Sequence, residues 1–518
     1  MNEDILKLVK EKGLLLDKSI FDLLGSFEDL NIARSFLENL EKISGQKMIT
    51  CSVLTRRVGY MQKIVKEIPG EMRSLVEKTF INLGIQLEIT RETKVLDKNI
   101  EDSSISYQVC YSDKGPNDKI EVADFVGHFR SRYQQLQRIL MQRPGLTNLT
   151  SINKLSGNRQ GVSIIAIVSE KRVTPNKNLI VKMEDLTGAI SVLFKAGSDC
   201  YSKAAELQLD DVVAVKASGN NDFLYGQDII FPDSFVLEKT SFAEDACVAF
   251  ISDVHAGSIK HLGKEFEGFL TWINSGDPMA DKIKFIFFVG DNVDGVGVFP
   301  GQERLLALKS LKEQYALLAS YLERIPKRIT MFMCPGQHDS VRVAEPQPII
   351  DNYYGEKLYQ IPNLVLVSNP CLIKLKEKEK DFKILMYHGA SIHAFINEVE
   401  ELRVMKAHRC PAKAVKHMLK RRHLAPSHGV SPSIVYVPNK DNDALVIQEV
   451  PDVLCTGEVH RLDIENYNGT LIITGSCWQA QTEFEEKVGN VPDPCKIPVL
   501  NLKTRELKIL DFTGEVEQ

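Results

Sequence analysis

The chain has 518 residues, 43% of them hydrophobic and 26% charged, with a formal net charge of −5 at pH 7. That length exceeds one simple domain and points to about three. The composition excludes a mainly disordered or fibrous protein, and the charge balance requires any nucleic-acid surface to be a local patch. The 10 cysteines contain no Cys-x-x-Cys pair, which argues against a zinc ribbon and for buried thiols in a reducing, cytoplasmic setting. No apolar run reaches ~18 residues, and the acidic start Met1-Asn2-Glu3-Asp4 lacks the basic region of a signal peptide. A protein without membrane contact is expected.

Residues 1–60 are predicted as a helical N-terminal domain. Ile5, Leu8 and Val9, then Phe36, Leu37 and Leu40, keep helical spacing, and Gly45 fits a stop. Residues 61–155 are predicted as a linker and connecting helices. The stretch from about 88 to 120 is polar, with a breaker cluster at Lys114-Gly115-Pro116-Asn117-Asp118. A helix over 122–143 follows, with Phe125, Phe129, Tyr133, Leu136 and Leu140 on one side. Residues 156–245 alternate short strands (162–168, 178–183, 190–194, 212–217, 223–230) with turns, which predicts a small β-barrel, an OB-fold by strand number. Such a barrel serves either as a spacer or as a surface for a partner or single-stranded nucleic acid. Residues 246–518 alternate strand-type runs (246–251, 285–289, 329–334, 364–367, 384–386, 453–455, 471–473) with helices at 305–324 and 411–422, an α/β pattern. The tail, with Ile497, Val499, Leu500, Leu507, Ile509 and Leu510, reads as closing strands.

Five polar clusters follow strand-type runs: Asp253-Val254-His255, Gly290-Asp291-Asn292-Val293-Asp294, Gly336-Gln337-His338-Asp339, His388-Gly389 and Gly457-Glu458-Val459-His460. The functional crevice of an open α/β sheet lies beyond the C-terminal ends of its strands, so these clusters predict one shared metal site. Phosphodiester hydrolysis needs a nucleophile at neutral pH and neutralisation of developing charge, which two divalent ions ~3.5–4 Å apart supply. Mixed carboxylate and imidazole ligands suit Mn²⁺, with Zn²⁺, Fe or Ni²⁺ as alternatives.

The order of these motifs resembles the calcineurin-like metallophosphoesterases. That resemblance implies an α/β sandwich in which one metal takes Asp253, His255, Asp291 and His460. A second metal would share Asp291 as a bridge and take Gln337, His388 and Glu458, while His338, oriented by Asp339, would stabilise or protonate the leaving oxygen. Gln337 stands where the family has Asn, and Glu458 where it has His; both departures fall on the second metal. Phe250–Ser258, Gly290–Gly297, Lys420–Pro426 and Trp478–Phe484 are also similar to the small subunit of archaeal D-family DNA polymerase. This narrower resemblance implies a two-metal 3′→5′ exonuclease that proofreads DNA, paired with a large polymerising subunit. It leaves as alternatives an inactive scaffold subunit or a phosphomonoesterase on the same fold. The N-terminal region either meets other replisome proteins, such as a primase or a clamp, or meets none.

Several features remain open between two readings. Lys416, Lys420, Arg421 and Arg422 lie on a helix whose apolar stripe is Val415, Met418 and Leu419; they form either a solvated face or a contact with the DNA backbone. The Gly-rich stretch 295–301 is either a loop beside the metals or a simple turn, and His393 either reaches the site or lies on the surface. Trp478 and Phe484 are either core or, together with the barrel, a face for the large subunit.

Overall fold

The structure, a computed structural model, describes residues 2–16, positions 21, 24, 34, 37, 38, 48 and 49, and 104–514 apart from 112–119, 158, 237, 428–430 and 432. The chain forms two compact units, Met1–Thr93 and Lys94–Gln518. In the first, the helix Asn2–Glu11 buries Leu8 and Val9, and β1 (Leu15–Leu16) pairs in parallel with β2 (Met48–Ile49). Phe36, Leu40 and Gly45, on which the rest of the predicted helical domain rests, lie outside the described residues.

The second unit opens with a departure from the predicted linker. Strand β3 (Ser106–Tyr111) pairs antiparallel with a strand more than 250 residues away and buries Ile105, Tyr107 and Val109. The alternation of these three apolar residues with polar ones is a period-2 strand signal, hidden by its polar flanks. The predicted helix forms over Val122–Met141; Tyr133, Leu136 and Leu140 are buried, while Phe125 is exposed.

Five strands then close a barrel: β4 (Arg159–Val173), β5 (Leu179–Asp185), β6 (Gly188–Phe194), β7 (Val212–Gly219) and β8 (Phe223–Ile230), in the order β4-β5-β6-β8-β7, with β7 returning to β4. Alternate residues such as Val181, Met183, Val192, Phe194 and Leu224 fill the interior, as the strand period requires.

Two six-stranded sheets follow. The first contains β9 (Cys247–Ile251), β10 (Ile283–Val289), β11 (Thr330–Cys334) and β12 (Leu364–Leu366), all parallel. The second contains β13 (Cys371–Glu377), β14 (Lys380–Met386), β15 (Val453–Thr456), β16 (Asp463–Tyr467) and β17 (Thr470–Thr474), with β3 at its edge. The tail strands β18 (Lys496–Asn501) and β19 (Leu507–Asp511) complete the first sheet beside β9. Between the sheets lie Phe250, Phe287 and Phe332 from the first and Ile373, Phe382, Ile384 and Val453 from the second. Helices Gly263–Ile273 and Leu311–Leu322 cover the outer face of the first sheet. Helix Ala412–Arg421 covers that of the second. Burial on both faces explains why β9, β10 and β11 read as unbroken apolar runs.

Trp478 belongs to this core. It is fully buried against Phe266, Phe269 and Phe512, so it cannot anchor a partner. No helix among the described residues is long and apolar enough to cross a membrane.

Candidate metal centre

The clusters at the ends of β9, β10, β11, β14 and β15 converge. Asp253, His255 and His460 each offer a ligand atom within 4.8 Å of the others, and so do Asp253, Asp291 and His388. Asp253 is the member common to both groups. Asp291, expected as the bridge, accepts the His338 backbone N–H on Oδ1 (2.9 Å) and turns Oδ2 toward His388. Five of these residues hold a left-handed backbone: Asp253 (φ 51°), His255 (47°), Asp291 (46°), Glu458 (71°) and His460 (58°). Such conformations cost free energy and persist where the surroundings enforce them, commonly at functional sites. Gly336 is required for a different reason, since a Cβ there would overlap Asp291 Oδ1.

Each imidazole is anchored through Nδ1. His255 Nδ1 donates to Asp294 (3.0 Å), His460 Nδ1 to Glu485 (3.0 Å), and His388 Nδ1 to the Val289 carbonyl (3.0 Å). With the proton on Nδ1, each Nε2 presents a lone pair to the cleft. His255 Nε2 and His460 Nε2 face each other at 3.1 Å, with Asp253 3.5 Å from the latter. His388 Nε2 lies 3.2 Å from both Asp291 and Glu458 without an aligned hydrogen bond to either. Asp253 Oδ2 and Gln337 Oε1 are buried with no hydrogen-bond partner among the described residues. Converging, desolvated lone pairs repel one another unless a cation or proton lies between them. The donor set therefore fits divalent metal ions. Burial opposes charge on His388, but Asp291 and Glu458 raise its pKa well above the ordinary value, so that a proton takes the Nε2 lone pair wherever a cation does not. Burial likewise disfavours the Asp291 carboxylate, yet His388 and His338 hold it far below the usual range.

His338 stands at the rim, partly exposed, its Nε2 3.9 Å from Asp291. Its Nδ1 donates to the Asp294 carbonyl (2.6 Å) rather than to Asp339. The expected orienting role of Asp339 is corrected accordingly. That carboxylate accepts from the backbone N–H of Gly336 (2.9 Å) and Asn292 (3.1 Å) and from the Tyr315 hydroxyl (2.9 Å), which ties the β10 and β11 loops together. Burial and the charge of Asp291 push its pKa up to about 6. His393 reaches the edge of the cluster, 3.9 Å from Glu458.

For Lys420, Arg421 and Arg422 the expectation of a DNA-facing surface is corrected. Arg421 is 3% exposed; its Nε donates to Asp211 (2.8 Å) and its Nη2 to the Glu206 carbonyl (2.9 Å). Lys420 pairs with the Glu206 carboxylate (2.6 Å), and Arg422 donates to the Ile447 carbonyl (2.7 Å). Lys413 and Lys416 stay exposed, 3.0 and 3.9 Å from Glu465. The cationic end of the helix meets the barrel's acidic residues, so it fastens barrel to sandwich.

Sequence reasoning missed the anchors. Asp294 lies in the Gly290–Asp294 cluster, where nothing in the sequence marks it as the partner of a histidine; Glu485 is legible only as the end of a Thr-x-x-Glu capping box, which the structure forms. Asn369, whose Oδ1 accepts the His388 backbone N–H (2.9 Å), carried no signal.

The profile of the DNA polymerase alpha/epsilon B-subunit family matches residues 248–462. The DNA polymerase II small subunit of Archaeoglobus fulgidus is 34% identical over 454 residues, covering 86% of this chain and 89% of its own. That of Methanothermobacter thermautotrophicus is 36% identical over 401 residues, covering 76% and 80%. The Pyrococcus furiosus protein of the same name is 37% identical over 412 residues, 77% of this chain. This chain covers 65% of the length of that relative. The profile's range takes in all five strand ends that carry ligand candidates, and the chain belongs to the family of DNA polymerase II small subunits.

Proposed function

We propose that this chain hydrolyses DNA phosphodiester bonds from a 3′ end, as the proofreading subunit of a replicative polymerase whose synthesis resides in a larger partner chain. The observation that carries this reading is the convergence of imidazole Nε2 lone pairs and carboxylates at the strand ends. Residues 246–518 then form a calcineurin-like metallophosphoesterase domain and 156–245 an OB-fold, a reading that the five-stranded closed barrel supports.

Asp253, His255 and His460 would hold one cation; Asp291, Gln337, His388 and Glu458 would hold the other, with Asp253 joining Asp291 as a candidate bridge. Mn²⁺ suits this donor set. When bound, a pair of such cations neutralises charge on the diester and activates a water at neutral pH. The Asp294 and Glu485 carboxylates fix the His255 and His460 rings, so their Nε2 atoms are preorganised. Hydrogen bonding of His338 Nδ1 to a carbonyl leaves Nε2 as the atom that holds the transferable proton, and it faces the cleft. Burial lowers the His338 pKa, but Asp291 and the Asp294 carbonyl more than offset this and raise it, which favours the imidazolium that protonates the leaving alkoxide.

The test is Mn²⁺-dependent degradation of single-stranded DNA by the full chain. Loss of activity in both Asp291→Ala and His338→Ala supports the assignment; wild-type rates in both refute it. The departures at Gln337 and Glu458 favour a second reading, a scaffold subunit without hydrolysis. Bound Mn²⁺ near zero per chain would select it.

A further inference from the structure

Between Asp294 and Leu305 the chain forms a short loop that rises beside His338. It carries three large apolar side chains facing outward: Val296 (44% exposed), Val298 (37%) and Phe299 (42%). The Phe299 ring centroid lies 6.5 Å from that of His338, at an interplanar angle of 63°. The imidazoles step outward from the cluster, His460 to His255 to His338, and Phe299 is the next ring in the row.

This exposure belongs to a fixed loop. Gln302 is fully buried; its Oε1 accepts the Val298 N–H (2.9 Å) and its Nε2 donates to the Asp294 carbonyl (2.7 Å). Gln314, also fully buried, brackets Gly295 by accepting its N–H (2.9 Å) and donating to its carbonyl (3.0 Å). Gly295 itself has φ +78°, and a Cβ there would overlap the His338 carbonyl. The Asp294 carbonyl that receives Gln302 is the same one that receives His338 Nδ1 (2.6 Å). One backbone atom thus sets both the imidazole and the loop that bears the exposed ring.

We propose that Phe299 stacks on the base of the unpaired nucleotide whose phosphate enters the cluster, and that Val296 and Val298 shield that stack from water. This inference rests on the DNA-hydrolysing reading above and adds the element that selects unpaired ends. A base freed from its duplex offers an open π-face, and aromatic side chains bind such faces regardless of sequence. A paired terminal base is already stacked and hydrogen-bonded, so reaching Phe299 requires breaking those contacts. The loop would therefore favour mispaired or single-stranded ends without reading any base.

The experiment compares full-length wild type, Phe299→Ala and Phe299→Tyr in Mn²⁺. The substrates are a single-stranded oligonucleotide, a duplex with a mismatched 3′ end, a fully paired duplex, and an oligonucleotide whose 3′-terminal unit is abasic. The abasic end presents the same bond without a base. Phe299→Ala is expected to lower kcat/KM on the single-stranded and mismatched ends by about tenfold or more, the scale of one lost stacked base. It should leave the abasic end unchanged, and Phe299→Tyr should resemble wild type. An equal fall on all substrates, or no fall on any, overturns the proposal; the latter would mark the loop as a protein contact. Failure of wild type to cleave any of the four overturns the DNA-hydrolysing reading as well.

Discussion

Replacing Arg421 by Met tests whether the basic helix fastens the barrel or faces DNA. The guanidinium and the Asp211 carboxylate are both almost fully buried and 2.8 Å apart. Removing the cation leaves Asp211 with the Gln208 N–H (2.8 Å) and leaves the Glu206 carbonyl without its Arg421 donor. Breaking a buried pair by deleting one partner costs about 3–5 kcal/mol, because the surviving charge stays desolvated. That is a large share of the ~5–15 kcal/mol that holds a typical domain folded. The double variant Arg421→Met/Asp211→Leu removes both charges and should recover most of the loss, since an apolar pair in place of a buried ion pair is often neutral or stabilising. Urea denaturation of the full chain, followed by the fluorescence of Trp272 and Trp478 and by circular dichroism, measures both changes. Unchanged stability in Arg421→Met together with weakened DNA binding would refute the fastening role and restore the outward-facing helix.

Gly336→Ala is expected to weaken Mn²⁺ binding by about tenfold or more by displacing Asp291, read by titration calorimetry. Glu458→Ala should lose one of two bound cations and keep the other, which relies on Asp253, His255 and His460; elemental analysis counts them. Glu485→Gln should weaken binding by about 10–100-fold by loosening the His460 ring, with the melting temperature as the folding control. His423 supplies the pH dependence. It is fully buried, its Nε2 donates to Asp443 (2.8 Å), and burial together with Arg132 holds its pKa at about 4. The folded protein thus binds fewer protons here than the unfolded chain between pH ~6.5 and about 4. Stability from this group is complete above pH ~6.5 and is lost as the pH falls, by at most about 3 kcal/mol. Melting temperatures of wild type and His423→Gln between pH 7.5 and 5 should converge toward acid if this holds.

The ligand candidates were legible because parallel strands buried on both faces read as apolar runs, and each run ends on a residue type with a metal-binding atom. The barrel strands were legible from their alternation, to within a few residues at each end. The periodicity of helix Ala412–Arg421 gave its apolar stripe correctly, but not the fate of its basic end. Asp211, which neutralises Arg421, is 210 residues earlier in sequence, and no local pattern encodes that meeting. The same applies to Asp294, Glu485 and Asn369, whose value lies in orienting a ring held by another strand. Strand β3 was missed for a local reason: six residues between polar flanks offer too short a run to outweigh them. Trp478 followed from neither period nor neighbours; its polar, Gln-rich surroundings concealed a core position.

The proposed chemistry requires that the lone pairs converging at the strand ends hold two divalent cations. Elemental analysis of the full chain after equilibration with Mn²⁺ counts them. About two ions per chain are expected, falling sharply when Asp253, shared by both groups, is replaced by Ala. No bound Mn²⁺, or an unchanged content in Asp253→Ala, would contradict the two-cation site.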